Sequence, residues 1–367
     1  MRSALSIALI CRAAFAQTPA PEQLFREAVA AQRRGDDEAA IGKYRELLRL
    51  QPDVPQVRAN LGAALAHAGR YDEAIEQYKL ALEANPGEER LSLNLALAYY
   101  KKGDAAKAAA ELRLLHDKTP SDSRVATLLG DCYGRMGRDA DAVAVLLRAE
   151  DAHPDDPGVA WALGAVLIHE GRLRDGLRRV QAVAAGGKSA EANLLAGQTL
   201  VRLDEFESAR TYAAAAKRLN PRLPGIYTLS GRIEQYLGDY AAAKVDLGKA
   251  LEADPNDFQA HVTLAAILNS ERDLDGAAMH IGAAMRLEPE SPLARYELAR
   301  LERTKGDLDA AARDFERAIA ANPGWLQPHV ELAALYYRLN RPEDGARERA
   351  IVDKLSAAGP NARTPSP

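Results

Sequence analysis

Apolar residues along this chain recur at helical spacing, and the helices they predict come in pairs. From Pro55 to Glu88 the sequence reads PQVRANLGAALAHAGRYDEAIEQYKLALEANPGE. Positions 4, 7, 8 and 11 of this stretch share one face of a first helix, and positions 20, 24 and 27 share one face of a second. Each helix has a single apolar stripe, and the two stripes must meet. The same frame recurs along the chain. Pro52, Pro86, Pro120 and Pro154 are each 34 residues apart, as are Pro221, Pro255, Pro289 and Pro323. Pro154 and Pro221 are 67 apart, one short of two periods, so one proline is missing and one residue has been lost near position 188. Ten repeats result, beginning at Pro21, Pro55, Glu89, Ser123, Pro157, Ala190, Pro224, Phe258, Pro292 and Leu326.

In all ten, positions 8 and 20 hold only Ala or Gly, from Ala28 and Ala40 in the first to Ala333 and Gly345 in the last. Such small residues predict close approach of the paired helices. Gly35, Gly69, Gly103, Gly137, Gly171, Gly238 and Gly306 occupy the position that ends the first helix, where a left-handed turn is needed. Asn340 is a tolerable substitute there, whereas Asp204 and Arg272 predict less regular turns. The fragment AAGGKSAE, 184–191, contains the tail of a phosphate-binding loop. The full G-x-x-x-x-G-K-[ST] motif needs a glycine where Ala182 stands, so Gly186 and Gly187 are read as the proline-less joint between the fifth and sixth repeats. That joint is expected to be the softest inside the array. Asp156 before Pro157 reads as a helix cap. The last helix, Pro342 to Gly359, carries Arg349 where an apolar residue would pack, consistent with a solvated end, and the tail 359–367 is too rich in Pro and polar residues to pack.

The 34-residue period, with Leu61-Gly62, Leu65, Ala74, Tyr78, Ala81 and Pro86 in register, resembles the tetratricopeptide repeat. The resemblance covers residues 21–358. It implies an all-α fold, an α-solenoid of about ten repeats wound as a right-handed superhelix, with a concave groove that holds a partner peptide or protein. In that family the groove is lined mainly by first-helix positions 2, 5, 6, 9, 12 and 13. Here those positions carry eleven Lys or Arg against five Asp or Glu, the reverse of the whole-chain balance. The candidate peptide-binding residues are Asn60, Asn94, Tyr100, Lys101, Arg124, Arg135, Trp161, Gln198, Arg202, Arg232, Gln235, Tyr236, Tyr296, Arg300, Arg303, Tyr337 and Arg338, with Arg90 beside them. Arg forks, amides and Tyr suit an extended peptide, especially one bearing carboxylates. Arg232, Arg300 and Arg303 are the expected anchors. The family's carboxylate clamp for chaperone tails resembles a Lys at position 5, which no first helix here has, so that ligand is not supported. The frame also splits two tyrosine pairs, with Tyr99 and Tyr336 in the core and Tyr100 and Tyr337 towards the groove.

Composition narrows the other classes. Apolar residues make up 47% of 367 and aromatics 5%, and the abundant Ala, Leu, Arg and Glu favour helix. A net charge of −4 gives no overall basic footprint for nucleic acid. Residues 1–16 resemble an export signal, with a positive Met1-Arg2-Ser3, an apolar Ala4 to Cys11 and a cleavage pattern Ala14-Phe15-Ala16, followed by a short linker over 17–20. The expected location is periplasmic or secreted, with an uncleaved membrane-anchored leader as the alternative. No later segment is long enough to span a membrane. Ala8-Leu9-Ile10 lacks the small residue that a lipid-modified Cys11 would follow. Removing the leader leaves Cys132 alone, which excludes an intramolecular disulfide.

His67, His116, His153, His169, His261, His280 and His329 form no H-E-x-x-H or comparable spacing, so neither a metal nor a cofactor is expected. There is no G-x-S-x-G elbow and no local triad. The basic run GRLRDGLRR, 171–179, lies largely on the outer side of a second helix. The favoured reading is a non-enzymatic scaffold binding a protein or peptide in its groove. Its rivals are an envelope glycan-binding or assembly factor, and an enzyme with a site built in the groove.

Overall fold

The computed structural model of the chain describes residues 20–357, so the expected leader 1–16 and tail 359–367 lie outside the described residues. Among those described, all regular structure is α-helical, in 20 helices. The chain divides into two compact units between Glu170 and Gly171. The first unit holds α1 (Pro21–Arg33), α2 (Asp37–Leu50), α3 (Pro55–His67), α4 (Tyr71–Ala84), α5 (Glu89–Lys102), α6 (Ala105–Lys118), α7 (Ser123–Arg135), α8 (Asp139–Ala152) and α9 (Pro157–His169). The second holds α10 (Leu173–Ala185), α11 (Ala190–Arg202), α12 (Phe206–Leu219), α13 (Ile226–Leu237), α14 (Tyr240–Ala253), α15 (Phe258–Ser270), α16 (Leu274–Leu287), α17 (Pro292–Lys305), α18 (Leu308–Ala321), α19 (Leu326–Arg338) and α20 (Pro342–Ala357).

The helix ends follow from local chemistry. Asp36, Asp104, Asp122, Asp156, Asp239, Asp257, Asp273 and Asp307 each accept a hydrogen bond from a backbone N–H of the first turn they precede. Each such cap is worth about 1 kcal/mol. First helices end in a left-handed residue, as at Gly103 (φ 91°), after which the Asp104 N–H reaches back to the Tyr99 carbonyl at 2.9 Å. Asp204 (φ 59°) and Arg272 (φ 68°) correct one expectation, because they adopt the same conformation. The bonds Glu205 N–H to Leu200 O and Asp273 N–H to Leu268 O, both 2.9 Å, hold those turns as regularly as glycine does elsewhere. At the proline-less joint, Gly187 is left-handed (φ 72°) and the Ser189 hydroxyl caps α11. The two glycines therefore end one helix and lead into the next.

Paired helices approach as closely as the small residues allow. A Cβ on Gly62 would lie 2.7 Å from the Tyr78 ring, and one on Gly231 2.5 Å from Leu247. Within each unit every helix packs on its sequence neighbours. First helices also touch the first helix of the next repeat: α3 and α5, and α7 and α9, in the first unit; α11 and α13, α13 and α15, and α15 and α17 in the second. Each unit is thus an α-solenoid whose first helices share one face. Tyr44, Leu65, Leu91, Leu112 and Leu129 fill the core of the first unit, and Ile233, Leu247, Ile281 and Phe315 are buried in the second. Cys132 on α7 is also fully buried, and burial pushes its thiol up to about 11.

A polar clasp recurs between the two helices of a repeat. Arg58 donates to the Pro52 carbonyl (2.8 Å) and to Gln77 Oε1 (3.3 Å). Arg295 donates to the Pro289 carbonyl (3.1 Å) and lies 3.6 Å from Asp314. His329 bonds the Pro323 carbonyl (3.1 Å) through Nε2 and Glu348 (2.5 Å) through Nδ1. In the eighth repeat both partners are imidazoles: His261 Nε2 is 3.1 Å from the Pro255 carbonyl, and its Nδ1 is 2.9 Å from His280 Nδ1.

Candidate functional site

The shared face of first helices is where the candidate residues sit, and each compact unit carries its own set. In the first unit, Tyr100 on α5 and Arg135 on α7 form its best-defined contact. Arg135 donates to the Tyr100 hydroxyl at 2.6 Å, its guanidinium lies 4.4 Å from the ring centroid, and Asp131 holds it from one turn below at 2.8 Å. Burial and Asp131 raise the Tyr100 phenol, which keeps it neutral. Asn60 and Asn94 are half-buried on α3 and α5, and Asn60 accepts from Gln56 at 3.1 Å. Trp161 is half-buried on α9, while Lys101 is exposed. Arg124 and Arg90 are exposed but turned back on Asp122 (3.2 Å) and Glu88 (3.8 Å) of their own preceding turns. Tyr99 is buried and Tyr100 only half so, which separates core from face.

In the second unit, Gln198 and Arg202 are exposed on α11. Arg232, Gln235 and Tyr236 follow on α13. Tyr236 is 50% exposed and stacks on Phe206 of the preceding repeat, ring centroids 4.4 Å apart, which makes a rigid aromatic ledge. Arg232 is half-buried and makes no ion pair among the described residues. Tyr337 is 47% exposed on α19, with Arg338 beside it, whereas Tyr336 is buried.

Three candidates of the ninth repeat are committed internally. Tyr296 is wedged between Phe315 and Trp325, at 5.7 and 4.7 Å between ring centroids, and burial pushes its phenol up to about 12. Arg300 bonds Glu297 at 2.9 Å, and Glu297 is itself buried. Arg303 pairs with Glu331 of the next repeat. Two of the three arginines expected to anchor a ligand carboxylate, Arg300 and Arg303, therefore already hold one each. The cause is geometric, since position 6 lies one helical turn from position 9 and faces position 12 of the preceding repeat. A count of charges along the chain does not reveal such pairs.

Among the described residues no group of three or more His, Cys, Asp or Glu side chains is placed to hold a metal ion, and no helix is long and apolar enough to cross a membrane. Sequence reading overlooked the mutual contact of His261 and His280. Its signal was present, for Arg58 and Gln77, Arg295 and Asp314, and His329 and Glu348 stand in the same frame positions.

Comparison with known proteins gives one answer. Three family profiles, each described as a tetratricopeptide repeat, match residues 65–132, residues 25–89 with 271–324, and residues 224–257. No curated protein matches. Among solved structures, the Cut9–Hcn1 hetero-tetramer of the APC/C aligns at 14% identity and a TM-score of 0.55, covering 94% of this chain and 89% of that one. A tetratricopeptide repeat protein from Parabacteroides merdae aligns at 15% identity and 0.52, covering 64% and 93%. At such identities these likenesses speak for the fold, and the fold agrees with the profiles. The chain belongs to the tetratricopeptide-repeat proteins, a family of protein–protein interaction scaffolds.

Proposed function

We propose that the face of first helices in the second compact unit binds an extended segment of a partner protein, with α13 as its centre. The observation that carries this reading is the conjunction on one helix of Arg232 without an ion-pair partner, Gln235, and the Tyr236 ledge braced by Phe206. A peptide backbone can lie across Tyr236 and exchange hydrogen bonds with Gln235, while Arg232 takes a carboxylate. Acidic peptides are accordingly the favoured ligand class. Arg300 and Arg303 shape the neighbouring surface rather than anchor the ligand, because Glu297 and Glu331 neutralise them. The Tyr100–Arg135 contact is a separate, weaker candidate in the first unit.

The export pattern of residues 1–16 supports a place of action in the cell envelope or outside the cell. Intact mass of the cellular protein tests this, since retention of residues 1–16 on most molecules would remove cleavage from the proposal. The binding face is tested by affinity capture from the native envelope followed by affinity measurement on the captured partner across a salt series. Arg232→Ala with Tyr236→Ala should weaken binding by about ten-fold or more, one charge-assisted bond being worth roughly 1.5–3 kcal/mol. The outer-face control Arg178→Ala with Arg179→Ala should leave it intact. Equal loss in both variants, or none in the first, would overturn the assignment. Competition by envelope glycans with binding that survives high salt would replace a peptide ligand with a saccharide.

A further inference from the structure

In three repeats the clasp joins a cation or hydrogen-bond donor to an amide or carboxylate acceptor, and each pair is complete in itself. The eighth repeat brings together two groups that both carry ring lone pairs. His261 on α15 and His280 on α16 have their Nδ1 atoms 2.9 Å apart, with ring planes inclined at 42°. The Pro255 carbonyl can only accept, so the bond at 3.1 Å fixes the proton of a neutral His261 on Nε2 and turns a bare Nδ1 towards His280. Orientation of a ring by a backbone carbonyl on its far nitrogen is how metal-ligating histidines are generally held.

The spacing is also suggestive. Two nitrogens each about 2.0–2.1 Å from an ion and at right angles to one another are about 2.9 Å apart. We propose that His261 and His280 form a two-imidazole site for one divalent transition-metal ion of the copper, nickel and zinc class, its remaining positions filled by water. Copper(II) and nickel(II) fit best, because a right angle between ligands belongs to their tetragonal geometry rather than to a tetrahedron. Ion binding needs His280 to move its proton from Nδ1 to Nε2 and the two rings to turn from their mutual hydrogen bond until both Nδ1 lone pairs converge on the ion. Asp273, whose charge acts on His280, caps α16 by accepting from the Gly276 N–H at 2.9 Å. Two protein ligands leave the ion open to a further donor, which a bound partner can supply.

The test uses the untagged full chain titrated with copper(II) and nickel(II), followed by calorimetry and by electron paramagnetic resonance of the copper form. One ion per chain should bind, and the copper spectrum should show superhyperfine coupling to two equivalent imidazole nitrogens. His261→Ala and His280→Ala should each weaken binding by about tenfold or more. His67→Ala and His169→Ala, which alter the exposed histidines paired to Asp37 and Asp139, should not. The spectrum of the unmutated protein keeps the idea testable if a variant fails to fold. Coupling to a single nitrogen, absence of stoichiometric binding, or full affinity in the His261→Ala/His280→Ala protein would each refute the site.

Discussion

Glu302 stands where Leu65, Tyr99, Tyr133, Leu167, Leu200 and Tyr336 fill the core of other repeats. One of its carboxylate oxygens is buried without a partner, and Ile281, Met285, Leu298 and Leu301 share with it the lining of an open cavity of about 520 Å³. Burial first, and then Asp314 and Asp307, push its pKa from the ordinary 4.5 up to about 7. The folded state therefore binds more protons than the unfolded state between those values. Stability from this group is fully present below the unfolded pKa and is lost as pH rises towards 7. Glu302→Gln should flatten that dependence and stabilise the protein at pH 8 by about 1–2 kcal/mol, after allowance for the water that reaches the site. Urea titrations at pH 5 and pH 8 decide it, and an unchanged pH dependence in the variant would reject the assignment. At this scale the sequence was legible where the frame alone sets an environment, as in the separation of Tyr99 from Tyr100. It was not legible where two charges find each other across repeats, as Arg303 and Glu331 do, because their contact depends on how adjacent helices are offset.

Between helices, the decisive quantity is how near two backbones can come. A Cβ at Gly231 would collide with Leu247, while one at Gly248, on the neighbouring α14, meets nothing within 4 Å. Gly231→Ala should cost about 1–3 kcal/mol through overpacking. Gly248→Ala should stabilise by about 0.5–1 kcal/mol, since alanine restricts the unfolded chain and suits a helix interior. Thermal melts of the two variants should move in opposite directions, and a parallel shift would mean that the small-residue stripe does not set the helix spacing. The stripe and the all-helical class could be read from sequence because every repeat presents the same steric demand. The turns at Asp204 and Arg272 could not, because a bond to the preceding helix overrides the residue's own reluctance to be left-handed.

Across the whole molecule, helices within each unit contact only near neighbours in sequence. Cohesion is therefore a sum of local interfaces rather than one shared core. Denaturant unfolding should proceed with a slope smaller than the surface exposed by so long a chain would give, because parts of the array melt separately. A single steep transition with coincident circular dichroism and fluorescence curves would contradict this. The joint at Gly186 and Gly187 should be an early place to open. There the N–H groups of Gly186 and Gly187 reach only three residues back, to Val183 (3.2 Å) and Ala184 (2.9 Å), whereas the Asp254 N–H makes a full-turn bond to Ala250 at 2.8 Å. Native-state hydrogen exchange should show faster opening over residues 180–195 than around Pro120 or Pro255. Equal protection at the three places would remove the soft joint.

The burial of Cys132 gives the protein a chemical stopwatch. Its thiol is fully enclosed and held protonated, so a disulfide reagent can reach it only when α7 leaves its neighbours. The rate of labelling then times the opening of the fourth repeat in the unmutated chain. The same reaction in denaturant counts thiols, two where Cys11 is retained and one where residues 1–16 have been removed. One reagent thus reports both a motion and whether residues 1–16 are retained.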